Sequence, residues 1–488
     1  MSQRDTDRPN ILLITTDQQR YDTLQALGNP AIFTPHLNFL AAQGVSFTHC
    51  YTDSPMCIPA RQTIMTGRHG ATNRQALGPE CERVSMHDLA TLPGLLTTAG
   101  YQTRAVGKMH FHPPRAHYGF EHMELLEDYY REREKHDGHP RPMDHGLGQN
   151  EMSPGFATVD ESRSLTRWTV DRSVDFLETR DDTRPFFLWT SFAKPHPPLD
   201  CDPKYWRLYD DIDLPEPVFG DWSQTVEDLP PGIAAPSWSI SQADHLSPQQ
   251  LRAAKRAYYA CITQIDYNLG YLFARLRELE MLDNTWIIFT SDHGEMLGDH
   301  HLGAKFVPLE ASARVPMIVR PPAAPWTRHP LQSTRSDALV CLADLLPTCA
   351  NLAGVDLPRD IALDGIDLLE ANEGRSGRDR LFISYNYAYG LVEGGYKYIY
   401  TARDNAELLF NLAADPHEQR ELIRAGAAGD VHLRMRAAMI EWLERHVPEV
   451  TRHGELVGHG EPPTRRDEQS GGAWPGFHSR RERADVLH

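Results

Sequence analysis

The segment Asn10-Ile11-Leu12-Leu13-Ile14-Thr15-Thr16-Asp17-Gln18-Gln19-Arg20 decides the architecture. A short, apolar, β-rich run that stops at charged and amide groups reads as a buried parallel strand with a polar C-terminal end. The design recurs at Thr285 to Ser291, which runs into Asp292-His293-Gly294-Glu295. Two further runs share it: Ala105-Val106 ahead of Gly107-Lys108-Met109-His110, and Pro185 to Phe192 ahead of Lys194-Pro195-His196. Such strands deliver ionisable groups to the carboxyl edge of an open α/β sheet, where these sheets bind ligands.

Helical stretches alternate with the strands. His36 to Gln43 is stopped by Gly44, Asp88 to Ala99 by Gly100, and Leu165 to Glu178 follows; 248–281 opens with a Ser247/Gln250 capping box and Pro248 at the first helical position. The alternation predicts an α/β sandwich around a central, mostly parallel sheet over residues 1–375. Beyond it, the β-like runs Leu381 to Tyr385 and Tyr396 to Thr401 and a helix from Val431 to His446 predict a smaller C-terminal α+β domain over 376–450. The remainder, 451–488, reads either as a frayed tail or as an oligomerisation arm of a homo-oligomer, with Trp474 and Phe477 as docking anchors. Two polar stretches, 131–162 and 197–246, lack periodicity and are expected to be long loops, either functional lids or disordered.

Composition narrows the function. The 488 residues are 40% hydrophobic and 24% charged, as in a globular protein with a substantial core. Forty-nine basic against 67 acidic residues leave a net charge of −18, which repels nucleic acid and anionic membrane, so an anionic substrate needs a locally positive pocket. No window approaches the roughly 20 apolar residues of a membrane span. The first residues lack a signal-peptide pattern, and the expected location is cytoplasmic. The seven cysteines include no Cys-x-x-Cys pair, and most read as packing thiols.

Cys57 stands apart, within Ser54-Pro55-Met56-Cys57-Ile58-Pro59-Ala60-Arg61-Gln62-Thr63-Ile64-Met65-Thr66-Gly67. Pro59 suits the first position of a short helix ended by Gly67, which places Cys57 at the helix's N-terminal end, where amides and dipole favour an anion or a polarised oxygen. The Cys-x-Pro-x-Arg run with its Thr-Gly stop resembles the signature of type I sulfatases, in the alkaline phosphatase superfamily. The other pieces keep that family's order: Asp17-Gln18, Gly107-Lys108-Met109-His110, Pro195-His196, Ser291-Asp292-His293-Gly294-Glu295, and Lys305 ahead of Arg314-Val315-Pro316. Glu407-Leu408-Leu409-Phe410-Asn411-Leu412 before Asp415-Pro416 and Glu418 resembles its C-terminal subdomain.

The resemblance implies an alkaline-phosphatase-like fold and a sulfuric ester hydrolase acting on a small anionic ester. It implies that Cys57 is oxidised after translation to formylglycine, with a formylglycine-generating enzyme as the maturation partner. It also implies one divalent cation held by Asp17, Gln18, Cys57, Asp292 and His293. Oxygen-rich ligation suits calcium, with magnesium or manganese as alternatives. Many relatives carry a second aspartate where Gln18 stands, which leaves the metal's identity open. Arg61, Lys108 and Lys305 are implied as the cationic clamp, His110 as the group that orients the aldehyde hydrate, and His196 as the acid for the leaving oxygen. Lys194 is the weaker choice beside His196, and His300, His301 and the histidines at 136, 139 and 145 read as surface or lid residues.

A sulfate monoester breaks at sulfur only when charge on the leaving oxygen is neutralised and a strong nucleophile is aimed in line. A phosphonate monoester or phosphodiester also carries one negative charge at its reacting centre, so a hydrolase for those esters remains the alternative reading. A catalytically silent binding protein that keeps the fold is the third. The alcohol half of the substrate is expected to be read by residues 131–162 and 197–246.

Overall fold

The computed structural model describes residues 8–72, 85–136, 145–148, 150–241, 243–323, 333–358 and 361–463. The expected tail anchors Trp474 and Phe477, together with His139 and the side chain of His136, lie outside the described residues.

The strands in chain order are β1 (Asn10–Asp17), β2 (Val45–Tyr51), β3 (Gln102–Gly107), β4 (His122–Leu125), β5 (Pro154–Phe156), β6 (Phe186–Pro195), β7 (Leu199–Cys201), β8 (Thr285–Ser291), β9 (Met317–Arg320) and β10 (Thr334–Cys341). Eight of them form the central sheet in the order β10-β2-β9-β8-β1-β6-β3-β4, while β5 and β7 pair separately. Within the large sheet every neighbouring pair is parallel except those of β9, which runs against β2 and β8. The expected mostly parallel sheet is therefore present. Its register aligns the strands singled out in the sequence: Thr16 lies opposite Ser291, Asp17 opposite Pro195, and Gly107 opposite Ser191. Their polar ends thus finish along one edge.

Successive side chains of a strand point to opposite faces, so one apolar run can feed two cores. Ile11 and Leu13 of β1 pack on one face with α2 (Cys57–Thr66), α3 (Leu92–Thr98), α10 (Leu345–Leu352) and α11 (Leu368–Asn372). Leu12 and Ile14 pack on the other with α1 (Pro35–Gln43), α5 (Leu165–Thr179) and α8 (Pro248–Glu278). The result is a three-layer sandwich.

Several boundaries differ from expectation. Helix α2 begins at Cys57, before Pro59, because Met56 is extended and its carbonyl accepts from Ala60 N at 3.1 Å. Pro59 then fills a first-turn position whose N–H has no partner within the helix. Helix α3 begins at Leu92 rather than at residue 88, since Thr91 caps it through Gly94 N. The Ser247/Gln250 box closes as read, but α8 ends at Glu278. The polar stretches are not bare loops: they hold the C-terminal part of α4 (Leu126–His136), both ribbon strands, α6 (Pro203–Arg207) and α7 (Pro231–Ile240). Elements of this length are too short to show a period. Their side chains are tied down, as when Trp168 Nε1 donates to Glu132 at 2.9 Å and Tyr205 OH to Glu161 at 2.6 Å.

The C-terminal region is an antiparallel meander of β11 (Arg380–Tyr385), β12 (Ala388–Glu393), β13 (Tyr396–Thr401) and β14 (Ala406–Asn411). One face takes Met435, Met439 and Leu443 of α12 (Gly429–His446); the other packs Ile383, Ile399 and Phe410 against Trp222 and Leu309. A charge cluster fastens this sheet to the sandwich. Lys397 of β13, fully buried, lies 2.6 Å from Glu310 of α9 (Glu310–Ala313) and 3.0 Å from Glu418. Arg314 lies 2.9 Å from the other oxygen of Glu310. Burial pushes Glu310 up, but Lys397 and Arg314 override it and hold the carboxyl below its usual range. Removing one member of such a cluster leaves uncompensated buried charge. Lys397→Met is expected to destabilise the protein by about 3–5 kcal/mol in chemical denaturation; an unchanged midpoint would show that the cluster does not fasten the sheet.

Candidate active site

The candidate site is assembled on the carboxyl edge of the sheet. Asp17 ends β1, Asp292 and His293 follow β8, and Cys57 opens α2. Their ligand-capable atoms lie within 4.8 Å of one another, and all four residues are buried. Cys57 Sγ is 3.2 Å from His293 Nε2 and 3.7 Å from Asp17 Oδ1. His293 donates Nδ1–H to the Gly294 carbonyl at 2.9 Å, which turns Nε2 toward the cluster.

Arg61 lies four residues after Cys57, so both project from one face of α2. The guanidinium is fully buried. It donates from Nε to Asp292 at 2.9 Å and from Nη2 to Asp17 at 3.0 Å. Nη1 donates to Ser191 Oγ at 2.8 Å and to the Lys108 carbonyl. Every nitrogen is engaged inside the protein, so Arg61 braces the carboxylates rather than standing free as an oxygen clamp. Two lysines flank the cluster: Lys108 Nζ lies 2.6 Å from Asp17 and 3.9 Å from Cys57 Sγ, and Lys305 Nζ lies 2.7 Å from Gln18 Oε1 and 3.0 Å from His196 Nε2. His110, at the exposed rim, is among the groups that lower Cys57.

These charges shift one another. Burial pushes the Cys57 thiol up, yet Lys108, Lys305 and His293 outweigh it and bring the group well below the thiol range. Burial also raises Asp17, but Lys108, His196 and Arg61 hold it below the usual carboxylate range. Asp292 is raised by burial and by the charge of Asp17. His196 is pushed down to about 4 by burial and by the cations Lys305 and Lys108. Position 57 is thus a place where negative charge is stabilised.

Two carboxylates, an imidazole and residue 57, with the Gln18 amide beside them, are donors of the kind that hold a hard or borderline divalent cation. The residues present fit such an ion. Beside them opens a cavity of about 420 Å³, lined among others by Lys108, His110, Tyr129, Tyr130, Lys194 and His196.

Other residues differ from the sequence reading. Lys194 and Asp200 line this cavity and are ion-paired with each other, and Asp200 also holds His145 at 3.0 Å; the His145 side chain is 7% exposed and is not a surface group. His300 is buried against Trp222, with Nδ1 on Ser223 Oγ at 2.8 Å, and is no surface group either. His301 is partly exposed beside Phe219. Ser191, not among the expected site residues, accepts from Arg61 and donates to the Lys108 carbonyl at 2.6 Å. Its place near the polar end of a sheet strand was the available signal.

The sulfatase family model matches residues 9–355, and a model described as N-sulphoglucosamine sulphohydrolase, C-terminal, matches 298–445. An arylsulfatase of Clostridium perfringens is 33% identical over 86% of this chain and 91% of its own. A choline-sulfatase of Rhizobium meliloti is 32% identical over 86% and 83%. Among solved structures, the phosphonate monoester hydrolase of Agrobacterium radiobacter superposes with a TM-score of 0.76 at 25% identity, covering 90% of this chain and 96% of that one. No helix among the described residues is long and apolar enough to cross a membrane. With a family match over most of its length and relatives aligned nearly end to end, the chain belongs to the sulfatase family of the alkaline phosphatase superfamily.

Proposed function

We propose that this sulfatase cleaves a small sulfate monoester with residue 57, in its formylglycine form, as nucleophile, and that the alcohol half lies in the cavity beside His196. The observation that supports it most is the convergence of Asp17, Cys57, Asp292 and His293, with Lys108, Lys305 and His196 around them. A divalent cation held by Asp17, Asp292 and His293, with the Gln18 amide and residue 57 beside it, would supply Lewis acidity at that position. Calcium suits the mostly oxygen donor set. A hydrated aldehyde in place of the thiol offers one oxygen to attack sulfur and a second hydroxyl whose deprotonation expels sulfate by C–O cleavage.

The protein's own groups do the rest. Arg61 keeps the two carboxylates together, and the first turn of α2 presents its dipole to residue 57. Lys108 and Lys305 take the sulfate oxygens and offset the acidity of the chain. His196 Nδ1 sits 2.7 Å from the Pro197 carbonyl, which fixes the ring, while Nε2 accepts from Lys305. An anionic ester bound between the lysines opposes the two cations that lower His196, so the ring gains a proton as substrate enters and donates it from Nε2 to the leaving oxygen.

The likeness to a phosphonate monoester hydrolase favours a second reading, since both ester classes present one negative charge. Protein made together with a formylglycine-generating enzyme separates the two. The expected result is kcat/KM at least about tenfold higher on 4-nitrophenyl sulfate than on 4-nitrophenyl phenylphosphonate, with the mass of the Cys57 peptide showing the aldehyde. Cys57→Ala is expected to lower kcat by about 10³ or more. The reverse preference selects the second reading, and full activity with an unmodified thiol defeats both.

The acid role of His196 predicts a dependence on the leaving group. His196→Ala is expected to slow an alkyl or sugar sulfate by about 10² and nitrophenyl sulfate far less, because nitrophenolate needs little protonation. Equal fractional losses in kcat/KM on the two esters would remove His196 from that role.

A further inference from the structure

A glutamine side chain has an acceptor at one tip of its fork and a donor at the other, and only its neighbours decide which way it points. Gln18 is gripped at both tips. Lys305 Nζ, which only donates, lies 2.7 Å from Oε1, and Nε2 donates to Glu295 Oε2. Glu295 is 2% exposed, and its other oxygen accepts from Leu297 N at 2.9 Å. Among the described residues no lysine or arginine side chain forms an ion pair with it, so its carboxylate is anchored by amides alone. The Gln18 backbone is equally constrained: its N–H donates to Asp292 Oδ1 at 3.1 Å and its carbonyl accepts from Tyr258 OH at 2.6 Å, at a φ of 70° that a glutamine rarely adopts.

We infer that Glu295 is a positioning residue for the cation site: its carboxylate fixes the Gln18 amide so that the oxygen, and not the nitrogen, faces the Lys305 side and is available as a donor. The inference rests on the proposed reading of Asp17, Asp292 and His293 as cation ligands. An amide nitrogen cannot ligate a cation, so the reversed orientation would remove one donor and set N–H against the Lys305 ammonium. A carboxylate at 295 accepts at both of its oxygens, from Gln18 and from Leu297 N–H. An amide there satisfies one of the two and opposes the other. A carboxylate at position 18 would meet Glu295 acceptor against acceptor. Positions 18 and 295 therefore form a matched pair, in which the N–H of one faces the acceptor oxygen of the other.

The experiment is calorimetric titration of calcium chloride into the metal-stripped full-length protein with Cys57 unmodified. Parent, Glu295→Gln and the exchanged double variant Gln18→Glu/Glu295→Gln are compared, with metal-free thermal melts run alongside. Glu295→Gln is expected to weaken calcium binding about tenfold, in the range of lost outer-sphere partners, and the exchange, which restores one donor facing one acceptor, to recover at least the parental affinity. Parental affinity in Glu295→Gln overturns the inference, and a lowered metal-free melting temperature with unchanged affinity overturns it in favour of a purely structural role. Should Glu295→Gln fail to fold, the double variant carries the test, and binding more than tenfold weaker than parent overturns it. A parent that binds no divalent cation overturns the cation reading itself, an outcome distinct from a binding parent with an indifferent Glu295→Gln.

Discussion

Two buried carboxylates brought together at the ends of adjacent strands repel each other, and the site depends on how that repulsion is met. Arg61 meets it with one planar group, taking Asp292 through Nε and Asp17 through Nη2 while Nη1 ties in Ser191 and the Lys108 backbone. One guanidinium therefore touches β1, β6 and the turns after β3 and β8. Arginine suits this task because its donors are fixed in a plane and it stays charged when dry. The brace also explains the spacing from Cys57 to Arg61: one helical turn is what lets the same helix offer residue 57 to the ligand cluster and anchor itself to the carboxylates.

Much of this was legible in the primary structure because parallel sheets write their active edge plainly. A buried strand is an apolar run, so the polar residue that ends it is conspicuous, and Asp17, Lys108, His196 and Asp292 all stood at such ends. Cys57 was legible through its motif rather than through any propensity. What escaped were residues whose role is defined by partners distant in sequence. Ser191 is one; Arg61 is named by its motif, but its bracing role depends on partners such as Ser191, 130 positions away. His145 reads as a loop histidine until Asp200 is seen beside it, and His300 reads as surface until Trp222 covers it. Strands β12 and β14 carry weak strand signals: Gly390 interrupts the first, and the second lies within the Glu407 to Leu412 motif.

Helix α9 connects the two halves. It carries Glu310, which faces Lys397 and Arg314, and its backbone carbonyls at Ala311 and Ser312 accept from Glu295 N at 2.9 Å and Gly294 N at 2.7 Å. The loop that presents His293 is thus propped by a helix that is itself held by the C-terminal sheet. A domain that contributes no side chain to the cluster still helps set where His293 stands. The motif ending in Glu418 finds its physical meaning here, as one corner of that support.

Cys57 is 2% exposed, walled by Phe306 and Tyr385, whose positions lie some 250 and 330 residues further along the chain. A reagent as large as an enzyme cannot reach a thiol so enclosed. Any catalyst that oxidises it must meet the first 70 or so residues as an extended peptide, before β8 and the C-terminal meander close over them. If residue 57 is matured as proposed, the fold would set an order in time: maturation would compete with folding, and a chain that closed first would be locked with its sulfur unchanged. On that reading the active fraction would report a race between two rates rather than an equilibrium, and slowing the late, long-range strand pairing would raise the yield of competent enzyme without altering its structure.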